Sequence, residues 1–108
     1  MTFPKIKVEI TRFVYDYNPG FVECRLVDAS GSEWLFVEKI PIVTRENLDA
    51  DSSYPKQGVI ACRIIEKKYI ANREVFRVNT KESWGVESTT GDFDFDIFPE
   101  QLLVLIDS

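Results

Sequence analysis

Three aspartates occupy alternate positions near the end of the chain, at Asp92, Asp94 and Asp96. Alternate residues of a β-strand point to the same face, so a strand here would carry a stripe of three carboxylates. Carboxylate oxygens are the ligands that Ca²⁺ and Mg²⁺ prefer. However, alternate strand residues lie about 7 Å apart, too far for these three to hold one ion without other ligands. The stripe is therefore predicted to be a solvated face. A patch for a basic protein is the next alternative, and a metal site ranks third.

A second acidic cluster, Asp49 and Asp51, falls in the polar stretch Thr44–Gln57. The order Asp-Ala-Asp-Ser matches the start of some Ca²⁺ loops, but the later glycine and the bidentate glutamate of an EF-hand are missing. We therefore predict a long polar loop without a bound metal. A loop of this length is uncommon in a compact domain and often carries function, so both aspartates are candidates for contact with a partner.

Tyrosine and tryptophan dominate the energetics of protein interfaces, and the chain has candidates of both types. Tyr15 and Tyr17 precede an Asn-Pro-Gly turn signal, where the hydrophobic alternation lapses. Tyr54 lies in the long polar stretch. These three tyrosines are predicted to be exposed and to bind protein, whereas Trp34 and Trp84 are predicted to lie in the core or at the end of a barrel.

The chain contains no histidine and two cysteines, Cys24 and Cys62. The absence of histidine excludes Ser-His-Asp and Cys-His catalysis and imidazole zinc sites. The cysteines stand 38 positions apart without a Cys-x-x-Cys motif, which argues against a thiolate zinc site or a redox pair. The five glycines are scattered singly, so there is no Gly-rich phosphate loop. We expect inert core thiols, no cofactor, no bound metal and no enzymatic activity.

The charge balance restricts the class of partner. The chain has 13 Lys and Arg against 18 Asp and Glu, a net charge of −5. Nucleic acids and anionic membranes both favour basic surfaces, so neither is an expected partner, whereas a basic protein is. The longest apolar run, Leu102–Ile106, is too short to span a bilayer, and the first residues begin no signal peptide. The sequence predicts a soluble, cytoplasmic protein with reduced thiols and does not specify its oligomeric state.

The length of 108 residues predicts a single domain, residues 1–108. Lys5–Thr11 alternates as a half-buried strand, and a phase slip near Arg12 indicates a bulge. Two stretches, Gly20–Asp28 and Gly58–Glu66, share the order glycine, two apolar residues, one variable residue, Cys-Arg, two aliphatic residues and a carboxylate. We predict that they form the two central strands, each followed by a turn and a return strand. Convergence of two hairpins is favoured over duplication.

The remaining segments complete an all-β pattern. Ile40–Val43 is predicted to be an edge strand, followed by a helical turn at Arg45–Leu48. Trp84–Ser88 and Asp92–Phe98 are predicted to pair as a hairpin. A short helical turn at Pro99 then precedes a last strand. Strands joined by tight turns are typical of a small antiparallel barrel or sandwich. The strand, Pro-initiated turn and final strand favour an SH3-like barrel.

These features predict a small, non-enzymatic protein-binding module of the immunity or adaptor type, using an acidic and aromatic surface. The residues expected to form that surface are Asp92, Asp94, Asp96, Tyr15, Tyr17, Tyr54, Asp49 and Asp51. The alternative is a small-molecule-binding or divalent-metal-binding β-barrel with weak enzymatic activity.

Overall fold

The computed structural model describes residues 3–104. Within them, eight strands form two antiparallel sheets, which confirms the predicted all-β class. The strands are β1 (Lys5–Tyr15), β2 (Phe21–Val27), β3 (Glu33–Lys39), β4 (Lys56–Ala61), β5 (Arg63–Ile70), β6 (Arg73–Asn79), β7 (Asp94–Ile97) and β8 (Leu102–Leu103). One helical turn, α1 (Ile40–Val43), follows β3, and a 3₁₀ turn (Pro99–Gln101) precedes β8. The first sheet has the order β3-β2-β1-β4, with β8 also on β1, and the second has the order β5-β6-β7.

Strand β1 is the centre of the first sheet, because β2, β4 and β8 all pair with it. Its alternation places Ile6, Val8 and Ile10 in the core. The pairing with β2 passes from Ile10↔Cys24 to Arg12↔Glu23, so one extra residue is inserted at Thr11. This bulge confirms the phase slip predicted near Arg12.

The sequence predicted that Gly58–Glu66 is one central strand, and this prediction is wrong. Instead β4 is an edge of the first sheet and β5 an edge of the second, and only Cys62 separates them. The Cys62 amide donates to the Pro4 carbonyl at 2.9 Å, so the chain changes sheets at a point tied to the start of β1. Strand β5 is exposed over most of its length and carries a bulge at Ile65.

Several local predictions were wrong for identifiable reasons. Ile40–Val43 is a helical turn and not an edge strand, since Pro41 occupies a first-turn position where its missing amide hydrogen has no cost. The predicted helical turn at Arg45–Leu48 is irregular, and Trp84–Ser88 forms no strand. The strand predicted at Asp92–Phe98 is shorter and pairs with β6.

The short helical turn predicted before the last strand is confirmed as the 3₁₀ turn. The last strand was predicted over Leu102–Ile106. The structure gives β8 as Leu102–Leu103, and the end of the predicted strand lies outside the described residues.

One hydrophobic cluster joins the two sheets. Its largest buried members include Phe36, Ile6 and Ile10 from the first sheet and Val78 and Ile97 from the second. Two backbone hydrogen bonds also cross between the sheets, from the Ala29 amide to the Asp96 carbonyl at 2.8 Å and from the Thr89 amide to the Leu35 carbonyl at 2.8 Å. No ladder joins β3 to β7 within residues 3–104, so a closed barrel is not found.

Thr80 anchors the connection between β6 and β7. It is fully buried, its amide donates to the Phe93 carbonyl at 3.0 Å, and its hydroxyl donates to the Val86 carbonyl. The Val86 amide returns a bond to the Thr80 carbonyl at 3.3 Å. The irregular segment between β6 and β7 is therefore held in place by hydrogen bonds to Thr80, a polar residue buried in the core.

Replacing that hydroxyl by a methyl group, in Thr80→Val, should lower the free energy of unfolding by about 1–3 kcal/mol, because the Val86 carbonyl loses its buried donor. Thr80→Ser keeps the hydroxyl and should lose less. Urea unfolding of the three proteins measures both effects. A Thr80→Val protein as stable as the wild type would show that the bond contributes nothing.

Candidate functional site

Tyr15, Tyr17 and Phe21 form an aromatic cluster at the end of the β1–β2 hairpin. The two tyrosine rings stack with centroids 5.7 Å apart, and Phe21 meets them edge-on at 5.9 and 6.0 Å. Such pairs are worth about 0.5–1.5 kcal/mol beyond the burial of their area, so the rings hold each other in place. Tyr15 is nevertheless 50% exposed and Tyr17 68% exposed. The cluster is a preformed apolar surface facing water.

The turn between β1 and β2 fixes the cluster against α1. Tyr15 pairs directly with Phe21 across the hairpin, which brings their rings together. The Gly20 carbonyl accepts a hydrogen bond from the Ile40 amide at 3.0 Å. A Cβ atom at Gly20 would lie 2.8 Å from the Phe13 ring, so only glycine allows this approach. The turn that carries the cluster is thus held to β1 through Tyr15 and to α1 through Gly20.

Beside the aromatic cluster, the turn and the start of the long loop enclose a groove of about 470 Å³. We refer to it as the loop groove. One wall is Asn18–Gly20 and the other is Thr44–Leu48. Arg45 and Glu46 are the charged residues among its lining. Glu46 lies 3.5 Å from the ammonium of Lys56 at the start of β4.

The predicted loop residues have unequal roles. Asp49 organises the loop, because its carboxylate accepts from the Asp51 amide at 2.9 Å and the Ser52 hydroxyl at 3.3 Å. The Tyr54 hydroxyl donates to the Asp49 carbonyl at 2.7 Å, and its half-buried ring packs against the core. Tyr54 therefore fastens the loop and is not the exposed residue that the sequence predicted. Asp49 and Asp51 themselves are exposed.

The aspartate stripe is largely occupied by contacts within the protein. Asp96 accepts from Arg77 Nε at 2.9 Å and Nη2 at 3.2 Å, and Lys68 Nζ lies 3.0 Å away. Asp94 accepts from the Asn79 side-chain amide at 2.8 Å but is exposed. These contacts pair the carboxylates with neighbouring strands.

Asp92 has a different role from the other two aspartates, since it closes a turn. Its carboxylate accepts from the Ser88 hydroxyl at 3.2 Å and from the Thr90 hydroxyl at 2.5 Å. Asp94 is therefore the member of the stripe with the most freedom to contact a partner.

Asp94 and Asp96 of the aspartate stripe lie on β7 of the second sheet, next to one end of the first sheet, whereas the aromatic cluster lies at the other end of the first sheet. Asp96 accepts its backbone bond from Ala29, just beyond the end of β2, whereas the aromatic cluster begins at Phe21, the start of β2. Seven strand residues separate the ends by about 20 Å. The structure thus places Tyr15 and Tyr17 at one end, with the start of the long loop beside the turn that follows them, and leaves the aspartate stripe at the other.

Sequence reasoning did not place two aromatic residues, Phe21 and Trp84, correctly. Phe21 reads as the first residue of a core strand, and its place beside the tyrosines follows from the hairpin register. Trp84 was predicted to be a core or barrel-end residue but is 62% exposed, because its segment forms a turn and not a strand. Trp34 packs against the core as predicted, and its indole nitrogen donates to Asp28 at 2.9 Å.

Both cysteines are free and fully buried. Burial raises the pKa of each thiol to about 12, with the charges of Glu38 and Glu23 adding to the effect at Cys24. The reactive species is the thiolate, so neither cysteine is suited to nucleophilic chemistry. This agrees with the prediction of core thiols. In addition, no group of three acidic or cysteine side chains among residues 3–104 is close enough to hold a metal ion.

Comparison with known protein families, with curated proteins and with solved structures finds no match to this chain. In the part of the chain that the structure describes, no helix is long and apolar enough to cross a membrane. Function is therefore inferred from the surfaces themselves.

The Asp96 contacts should appear in the pH dependence of stability. Hydrogen bonds from Arg77, and secondarily from Lys68, lower the pKa of Asp96 against an opposing effect of burial. A carboxyl whose pKa is lowered on folding stabilises the protein above its ordinary value of 3.8, and that contribution disappears as the pH falls through the lowered value. Asp96→Asn should cost about 1 kcal/mol at pH 7, since the pair is partly solvated. Unfolding measured at a pH below the lowered pKa of Asp96 should show a smaller free-energy cost of this substitution.

Asp94→Asn is the matched control for that measurement, because Asp94 lies two residues away on the same strand, is exposed and contacts no cation in the described part of the chain. It should change stability by less than about 0.5 kcal/mol at either pH. Equal costs for the two substitutions at pH 7 would contradict the structural role of Asp96.

The buried thiols should resist labelling. In the native protein at pH 8, Cys24 and Cys62 should react with a disulfide reagent at least about tenfold more slowly than in urea, because few thiolates form and access is blocked. Mass spectrometry of the labelled peptides measures each cysteine. Full-rate labelling of either one in the native protein would contradict its placement in the core.

Proposed function

We propose that this protein is a non-enzymatic protein-binding module of the immunity or adaptor type. Its binding surface is the aromatic cluster together with the acidic loop beside it. The observation that carries the proposal is the stacked pair Tyr15 and Tyr17, which is highly exposed yet fixed by contact with Phe21. Ordered exposed tyrosines lose little conformational entropy on binding, which is why they act as hot spots.

A basic protein is the proposed partner. Asp16 lies between the two tyrosines, and Asp49 and Asp51 lie in the loop that begins at the groove. All three are exposed and form no salt bridge within residues 3–104. Charges at the rim of an interface mainly speed association and make it sensitive to salt. The tyrosines would then supply most of the affinity and the aspartates would guide the encounter.

We propose an SH3-like barrel as the more specific class of this fold. The pairing of β8 with β1 directly after the 3₁₀ turn supports it, as do the passage of the chain from β4 to β5 at Cys62 and the two backbone bonds between the sheets. In this arrangement the aromatic cluster and the long loop lie at one end of the barrel, where binding residues can vary without disturbing the core.

The test begins with a photo-reactive crosslinker, p-benzoylphenylalanine, in place of Tyr17 in the native host. The crosslinked protein is identified by mass spectrometry, and its affinity for the purified chain is then measured by calorimetry. The double variant Tyr15→Ala/Tyr17→Ala should bind about a hundredfold more weakly, as expected for two hot-spot residues.

Tyr69→Ala is the matched control, because Tyr69 is 65% exposed but lies on β5 in the second sheet. It should leave affinity within about threefold of the wild type. Equal losses in the control and the double variant, or no loss in either, would show that the aromatic cluster is not the interface.

The charge contribution needs a separate pair of variants. Asp49→Asn/Asp51→Asn should slow association and flatten its dependence on salt, with little change in dissociation. Asp94→Asn, on β7 of the second sheet, should leave both unchanged. Stopped-flow association rates at low and high salt provide the comparison. If Asp94→Asn alone altered the association rate, the result would show that the interface lies at the aspartate stripe instead.

The second candidate function is the binding of a small molecule or divalent metal. The volume of the loop groove, which falls in the range of ligand sites, supports the small molecule. Bound ligand would raise the melting temperature by mass action. A thermal-shift screen with Ca²⁺, Mg²⁺ and a metabolite panel tests this function, and a flat result counts against it.

A further inference from the structure

Strand β4 has a free edge in the first sheet. It pairs with β1 on one side, and no other strand in the described part of the chain pairs with it. The bond from Cys62 to Pro4 fixes which backbone groups face β1, because hydrogen-bonded and open pairs alternate along an antiparallel ladder. Ile60 and Gly58 therefore face β1, whereas Val59 and Gln57 turn their N–H and C=O groups to the outer edge.

The neighbouring residue supports this assignment. The Ala61 carbonyl has the same orientation as those of Val59 and Gln57, and it accepts a hydrogen bond from the Ser83 hydroxyl at 2.7 Å. Among residues 3–104, no loop backbone or side chain donates to or accepts from the outward groups of Val59 and Gln57. Two amides and two carbonyls are thus arranged as the template for another strand.

A groove of about 680 Å³ lies beside this edge. Ile42 of α1 and Val59 and Ala61 of β4 contribute apolar surface to it. Trp84, which is 62% exposed, and Leu103, which is 37% exposed, also line it. An exposed tryptophan next to open backbone groups provides a side-chain anchor as well as main-chain bonding.

The charge of the groove runs against that of the protein. Lys5 and Arg45 are the charged residues that line it, and both are basic, although the chain carries a net charge of −5. Neither forms a salt bridge within residues 3–104. The groove therefore favours an occupant with acidic groups, whereas the aromatic cluster has exposed aspartates around it.

We propose that β4 receives an extended segment of a partner protein as an added strand, with apolar side chains at alternate positions and acidic residues at its ends. The segment's backbone bonds to Gln57 and Val59, an apolar side chain packs on Trp84, and its carboxylates lie near Lys5 and Arg45. An extended peptide fits better than an apolar acid, because only a peptide satisfies the open backbone groups. This site is separate from the aromatic cluster, although Arg45 lines both its groove and the loop groove.

The probe is a capped heptapeptide of alternating valine and threonine with an aspartate at each end. Amide spectra of the isotope-labelled protein should shift at Gln57, Val59 and Trp84, and exchange of the Gln57 and Val59 amides with solvent should slow at least about tenfold. The same peptide with lysine ends should bind about tenfold more weakly, because Lys5 and Arg45 repel it. A peptide methylated at its alternate backbone nitrogens should lose measurable binding.

Two variants separate the contributions. Val59→Pro removes an outward amide without removing a bond to β1, so it should abolish binding. The fold should remain, since proline is tolerated on edge strands. Arg45→Glu, which leaves Lys5 as the one basic residue of the described lining beside a new carboxylate, should remove the preference between the aspartate and lysine peptides while leaving the fold intact. Tyr17→Ala should leave peptide binding unchanged, which distinguishes this site from the aromatic cluster.

Several outcomes would overturn the proposal. These are the absence of shifts at Gln57 and Val59 at millimolar peptide, equal binding of the methylated peptide, and equal binding of the two charge forms by the wild type. If decanoate reproduces the Trp84 shifts and the peptide does not, the groove binds an amphiphilic acid and the added strand is disproved. Because the peptides alone decide the question, a Val59→Pro protein that fails to fold does not remove the test.

Discussion

The pairing of β1 on both of its edges is the constraint on which the rest of the structure depends. Its one buried face supplies Ile6, Val8 and Ile10 to the core, while its backbone holds β2 and β8 on one side and β4 on the other. A strand bonded on both sides cannot shift by one residue without turning its apolar face to water. The positions of the aromatic cluster and of the β4 edge both follow from its register.

Charge is arranged locally in this protein more than its net value suggests. Asp96 is held by Arg77 and Lys68, and Arg12 pairs with Glu23 across the β1–β2 ladder. Among residues 3–104, carboxylates without a cationic partner include Asp16, Asp49 and Asp51 in loops. An overall charge of −5 therefore says little about any one surface, and two neighbouring surfaces can favour partners of opposite sign.

Sequence reasoning succeeded where short-range periodicity decides the structure, as in the alternation of β1 and its bulge. It failed at Cys62, because a continuous apolar run looks the same whether it stays in one sheet or passes between two, and only the partner strands determine which. For the candidate site, the position of Tyr15 and Tyr17 beside a turn was readable. The pairing of Asp96 with Arg77 and Lys68 could not be read from the sequence, because these cations come from strands about 20 or more positions earlier in the chain.

The second free edge, β5, has a consequence for the behaviour of the chain at high concentration. It exposes Ile65, Tyr69 and Ile70, a composition that invites strand-to-strand aggregation. A twofold self-pairing centred on β5 would place Lys67 opposite Lys67 of a second copy, or Lys68 opposite Lys68, and the bulge at Ile65 interrupts the ladder. Two lysines and one extra residue thus oppose self-pairing at this edge, while the edge of β4 has no comparable obstacle at Gln57 and Val59.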